Sequence, residues 1–293
     1  MPPFSANLLR DLTNMLAFDF MRSAFVAGGC VALAAGLVGY FVVLRNQAFT
    51  SDALGHVAFT GGLGGLLLGL PLLGSVFGST VAATLAIGSL GGRGRGRDVA
   101  IGTVFAWILG LGVLFLSIYT TSRSAASGVV GVTVLFGSIL TLQAPQATVA
   151  AAAGIATSLA LLAICRPLLF ASVDPDVATT RAVPVRAVTL VFLVLLGITV
   201  AEAVQAVGAL LIFGLLVTPA AIAQTITARP YAGMLLSAAL AVGFVWTGLV
   251  LAFYLPYPVS FFIVGLSFAA YLLSILWPRR GSQAWRSTNS FIS

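Results

Sequence analysis

The chain's only histidine, His56, stands four positions after Asp52 in the stretch SDALGHVAFTGGLGGLLLGL. On a helix that spacing puts a carboxylate and an imidazole on one face, one turn apart, so both can reach a single ion or proton carrier. Such a pair is costly to bury in a membrane, which makes it a default candidate for a transport site. Carboxylate and neutral imidazole suit borderline and hard divalent ions such as Zn²⁺, Mn²⁺ and Fe²⁺, and no thiolates accompany them to favour Cu(I). Two ligands from one chain make an incomplete site, which fits a pathway that must release its ion. The bland alternative is that Asp52 and His56 hydrogen-bond each other or cap the helix start, with Ser51 assisting.

Glu202, in ITVAEAVQAVGALL, is the other acid expected within the membrane region. It could serve as a second metal relay or a gate residue. The length of the 186–227 stretch instead favours a short turn there, with Glu202 at the outer membrane face and Gln205 sharing its ambiguity.

The elements that position these groups follow from composition. Of 293 residues, 60% are hydrophobic and 7% charged, against roughly a quarter charged in soluble domains. The expected fold is an all-α, polytopic membrane helical bundle in a multi-pass location. It has about nine transmembrane helices, within a range of eight to ten, each of roughly 20 apolar residues. Expected spans are 21–44, 53–71, 73–91, 99–120, 145–166, 186–204, 207–227, 231–254 and 258–277. Residues 129–142 are short for a crossing and are read as a re-entrant or interfacial helix. Residues 1–20 form an amphipathic interfacial segment, 21–278 the membrane domain and 279–293 a cytoplasmic tail.

The net charge of +7 comes from arginines set singly or in short clusters between apolar runs. They mark topology rather than a nucleic-acid surface. Arg45, the Arg93/Arg95/Arg97 loop, Arg166, Arg181, Arg186, Arg229 and the tail with Arg279, Arg280 and Arg286 place one side in the cytoplasm. Nine crossings then leave the amino terminus outside and the carboxyl terminus inside. Cys30 and Cys165 lack CxxC spacing, which argues against a disulfide framework or a thiolate metal site.

Gly61, Gly65 and Gly69 repeat every four residues, the spacing that lets helix backbones approach closely in lipid. Pro219, in LLVTPAAIA, is expected to kink its helix and free a carbonyl for Thr218 or a neighbouring helix. Asp174 followed by Pro175 in ASVDPDVATTRAVPVR reads as a helix start, with proline at the first helical position. No phosphate-binding loop of the GxxxxGK[ST] kind occurs, so ATP hydrolysis would belong to a different polypeptide, and no residue here is assigned a catalytic role.

These residues carry a resemblance. LRNQAFTSDALGHVAFTGG is similar to the signature of the ABC-3 metal permease family, the membrane subunits of bacterial ATP-driven zinc, manganese and iron importers. RDVAIGTVFAWILGLGVLFLS at 97–117 keeps that family's Asp98, Ile101, Gly102 and Phe105, and LFGSIL at 135–140, DPDVA at 174–178 and VGALLIFGLLVTPAAIA at 207–223 follow in the family's order. Departures are Gly55 where the family usually has serine, Thr141 and Gln143 where a polar or acidic residue is common after LFGSIL, and Ala182 where glycine commonly precedes an apolar residue and proline.

The resemblance implies a type II ABC importer-like permease in the bacterial cytoplasmic membrane. Its cargo would be a zinc or manganese ion, or iron, with no permanently bound cofactor. Implied partners are an ABC ATPase subunit, an extracytoplasmic metal-binding lipoprotein or periplasmic binding protein, the bilayer and a second permease copy. In a homodimer a two-fold axis would bring a second Asp52 and His56 to a shared pathway. Asp174, Pro175, Asp176, Ala178, Arg181 and Pro184 would form the surface that docks into the ATPase. A permease of related architecture for an iron-siderophore, haem or cobalamin is the alternative, since a large substrate needs no ligand pair. An intramembrane enzyme would need a second convergent acid, base or nucleophile, which the sequence offers only as isolated candidates.

Overall fold

The computed structural model describes residues 15–89, 95–122, 137, 139–142, 144–209 and 212–276, with the backbone alone at 95–101, 122 and 207. The interfacial segment apart from its last residues, Arg93, the side chains of Arg95, Arg97 and Asp98, Gln143, most of 129–142 and the 279–293 tail lie outside the described residues. The described elements are helical: α1 (Asp19–Leu44), α2 (Ala48–Leu67), α3 (Leu72–Ser89), α4 (Arg95–Ser122), a 3₁₀ turn (Ile139–Thr141), α5 (Ala144–Val173), α6 (Pro175–Thr180), α7 (Val185–Val207), α8 (Ile212–Leu216), α9 (Thr218–Ile226), α10 (Pro230–Tyr254) and α11 (Val259–Leu276).

Seven of these helices are long and apolar enough to cross a membrane: α1, α3, α4, α5, α7, α10 and α11. The two remaining expected spans take other forms. α2 has 20 residues, but its serine, threonine, aspartate, histidine and glycines keep it out of that apolar set. The 207–227 span is divided into α8 and α9, because Pro219 has no N–H to donate and starts α9 in its first turn. Val217 between them keeps helical dihedrals, its N–H bonds to the Phe213 carbonyl and the Ala221 N–H to its own carbonyl, both at 2.9 Å, so the interruption is a local one of the kind expected at Pro219. At 139–141 the described backbone is a single 3₁₀ turn, and the side chain of Ile139 packs against Gly28 of α1.

Close approaches fix the helix directions. On α1, Gly28, Gly36 and Tyr40 meet Val245, Ala238 and Gly233 of α10 in reverse order, so those helices are antiparallel. Cys30 meets Gly154 and Arg45 meets Ser172, so α1 and α5 run parallel. α2 runs antiparallel to α3 and parallel to α4, since Gly61 and Gly65 face Ser79 and Ser75 while Thr60 donates to the carbonyl of Ile108, 3.0 Å away. The same bookkeeping brings the end of α1, the start of α2, α6 and the start of α7 to one end of the bundle. Arg45, Arg181 and Arg186 are gathered there.

The core is built on α1 and α7. Small residues let α1 serve as its hub: a Cβ at Gly36 would sit 2.6 Å from the Ala238 Cα, and one at Gly39 would collide with the Leu216 carbonyl at the α8–α9 junction. Ser237 donates to the Gly36 carbonyl at 2.7 Å, and Gln224 to the Tyr40 carbonyl at 2.9 Å. Such side chain to backbone bonds satisfy polar groups that lipid cannot.

Candidate metal pathway and coupling segment

α2 starts at Ala48, so Asp52 and His56 lie inside the helix rather than at its cap. At 1.5 Å per residue His56 stands about 12 Å along a helix of about 30 Å, close to mid-membrane depth if α2 crosses upright. Both side chains are half-buried in the single chain. Ser51, offered above as a helper in capping, donates to the Ala48 carbonyl at 2.7 Å instead. Among the described residues no hydrogen bond or ion pair joins Asp52 to His56, although the carboxylate is near enough for its charge to act on the ring.

The imidazole is held by an aromatic neighbour. Phe105 of α4 meets His56 edge-on with ring centroids 5.1 Å apart, and meets Phe49 at 5.7 Å on its other side. Phe49 and His56 are two helical turns apart, so one phenyl ring braces α2 on both sides of Asp52. Phe105 carried the resemblance but was not singled out as a site residue. An aromatic pair at i and i+7 flanking the acid was the available signal.

Gly55 packs where α7 turns into α8: a Cβ there would lie 3.2 Å from the Ala209 carbonyl and 3.1 Å from an Ile212 methyl. Glycine in place of the family's serine thus matches a close backbone approach. Gly61 and Gly65 face Ser79 and Ser75, whose hydroxyls occupy the space a Cβ would need. Gly69 does not continue that seam. The helix has ended at Leu67, and Gly69, with φ 76° and nothing within 4 Å, serves the turn into α3. A cavity of about 550 Å³ opens along the α2–α3 seam between Thr60 and Leu70, but no titratable side chain lines it.

Glu202 lies elsewhere. The helix continues to Val207 and the turn comes at Gly208, so Glu202 is in α7 rather than in a turn, and it is 1% exposed. Neither carboxylate oxygen has a hydrogen-bond partner. Thr157 of α5 approaches without reaching hydrogen-bond geometry, and Cys30 of α1 lies within electrostatic reach. Its recorded neighbours thus belong to the interior of the protomer. Among the described residues no three His, Cys, Asp or Glu side chains converge on a point that could hold a metal.

At the arginine-bearing end, the Asp174 carboxylate accepts from the Val177 N–H at 3.0 Å, with Pro175 in the first turn of α6. Local chemistry alone dictates this start. Ala178 is fully buried, whereas Asp174, Asp176, Arg181 and Pro184 are exposed. Ala182 follows with φ 55°, a left-handed conformation that glycine adopts without strain.

The chain matches the model of the ABC 3 transport family over residues 17–277. It is 30% identical over 264 residues to the manganese import system permease protein ScaB of Streptococcus parasanguinis, covering 90% of this chain and 92% of that one. It is 28% identical over 226 residues to the manganese transport system membrane protein MntC of Halalkalibacterium halodurans, covering 76% and 75%. The structure described as PsaBC from Streptococcus pneumoniae in complex with Fab superimposes with a TM-score of 0.81 at 24% identity, covering 97% of this chain and all of its counterpart. The family match takes in nearly every described residue, and the protein belongs to the ABC 3 transport family.

Proposed function

We propose that the chain is the membrane permease of an ATP-driven importer for a divalent transition metal, with manganese the foremost cargo and zinc and iron its competitors. The observation that carries the reading is the Asp52–His56 pair, which stands on adjacent turns of α2 with neither group hydrogen-bonded to the other. The names of the relatives ScaB and MntC support manganese. Carboxylate and imidazole suit that ion but bind zinc and iron as well, so selection is shared with the protein that delivers the metal.

A second copy of the chain, related by a two-fold axis, supplies another Asp52 and His56. Four ligands then hold the ion briefly, and water or backbone carbonyls complete its shell. An extracytoplasmic binding protein delivers the metal. A separate ATPase engages the segment from Asp174 to Pro184, whose outward Asp176 and Arg181 offer charged contacts. The protein works in the bacterial cytoplasmic membrane. Glu202 is not part of this pathway, because its neighbours are Cys30 and Thr157.

The test is uptake into proteoliposomes containing the permease and its ATPase, supplied with loaded binding protein and competing Mn²⁺, Zn²⁺ and Fe²⁺. ATP-dependent Mn²⁺ uptake that disappears in the Asp52→Asn, His56→Gln double variant is expected. Transport of a metal chelate or cobalamin, undiminished in that variant, would overturn the reading.

A further inference from the structure

Arg45 does more than mark the cytoplasmic side. Its guanidinium reaches from the end of α1 to two other helices: one terminal nitrogen donates to the Thr189 hydroxyl of α7 at 2.9 Å, and the other to the Ser172 hydroxyl of α5 at 3.4 Å. The same group stacks 5.4 Å from the centre of the Phe192 ring. A planar fork of donors on an aromatic face is geometry that lysine cannot reproduce. An arginine serving only as a topology marker would sit in water without fixed neighbours.

Two segments meet at this side chain. Ser172 is two residues before Asp174, whose N–H still bonds to the Phe170 carbonyl, so α5 passes into α6 with little slack. On the other side only Asn46 and Gln47 separate Arg45 from α2. Asn46 sits at φ 53°, and the Arg45 and Gln47 N–H groups bond to the Phe41 and Val42 carbonyls. The turn is therefore tied down, and α2 carries Asp52 four residues into the helix.

We propose that Arg45 is a positioning residue that transmits displacement of the α6 segment to α2, and thereby couples the ATPase contact to the Asp52–His56 pair. This rests on the importer reading above. The three helices share one guanidinium at the end nearest α6, so a shift of the α5–α6 junction must either drag the α1–α2 turn or break the bond to Ser172. A contiguous set of contacts is an argument from proximity, so coupling itself has to be measured.

The experiment uses the full permease–ATPase complex in proteoliposomes with Mn²⁺-loaded binding protein, and reads Mn²⁺ taken up per ATP hydrolysed. Arg45→Gln is expected to leave complex assembly and hydrolysis within about twofold, while uptake per ATP falls about tenfold, the scale of ordinary coupling energies. Arg45→Lys should recover only part of that ratio. Thr189→Val should lower it less, and should add little on the Arg45→Gln background, because both remove the same link. An unchanged ratio, or uptake and hydrolysis falling in equal proportion, would overturn the proposal. Wild-type protein that moves no Mn²⁺ would instead overturn the importer reading beneath it, so the two failures are distinguishable.

Discussion

Along α1 and α7, 72% and 67% of the apolar window is enclosed by other helices; along α3 and α4 the share is 17% and 11%. The two regions treat ionisable groups differently. In the enclosed region Glu202 is sealed at 1% exposure among α1, α5 and α7, with neither oxygen bonded. Against the open region, on α2, Asp52 and His56 stay half-buried, with the His56 ring against Phe105. A cargo ion needs entry and exit, so accessibility rather than burial separates a transport ligand from an isolated internal acid. On the proposed reading, the enclosed helices supply rigidity and the α2 edge supplies the metal ligands.

The comparison breaks most visibly at the open edge. Replacing Asp52 by Asn, with His56 intact, should lower Mn²⁺ uptake by about tenfold or more, since losing even a partner that only orients a metal ligand commonly costs about 10–100-fold. Size-exclusion profiles of the complex should stay unchanged, because neither group bonds the other. In the enclosed region the order reverses. Gly39→Ala drives a methyl group into the Leu216 carbonyl, and overpacking of this kind costs about 1–3 kcal/mol. It should lower the thermal midpoint of the purified protein and reduce folded yield, with metal preference unaltered in what folds.

Glu202→Leu sharpens the same contrast. Removing a buried acid with unbonded oxygens should raise stability by about 1–3 kcal/mol, read as a higher thermal midpoint. A drop in stability would mean that Glu202 has a partner in the assembled complex. The smallest effect lies outside both regions: Ala182→Gly relieves the left-handed φ of 55° and should stabilise by about 1 kcal/mol, read as a higher thermal midpoint.

Features dictated by local chemistry were legible in the sequence. The Asp174–Pro175 helix start is one, because an N-cap and a proline at the first helical position need only their neighbours. Seven of the nine expected span positions were another, since apolar length and membrane thickness set them together. Features decided by tertiary contact were not legible. Gly69 matched the glycine spacing, but the helix had already ended and the residue serves a turn. Glu202 was placed by chain length at an outer turn, while α7 runs on past it to Val207. Arg45 was read as a charge marker, and its bonds to Ser172 and Thr189, more than a hundred residues away, have no signature in sequence.

Asp52 and Glu202 differ in setting, one half-buried on α2 and the other sealed in α7, and one assay compares them directly. Mn²⁺ uptake driven by ATP is measured in proteoliposomes carrying wild type, the Asp52→Asn, His56→Gln double variant, and Glu202→Gln. The account predicts uptake near background for the double variant and near wild type for Glu202→Gln. Retained uptake in the double variant, or loss in Glu202→Gln alone, would contradict it.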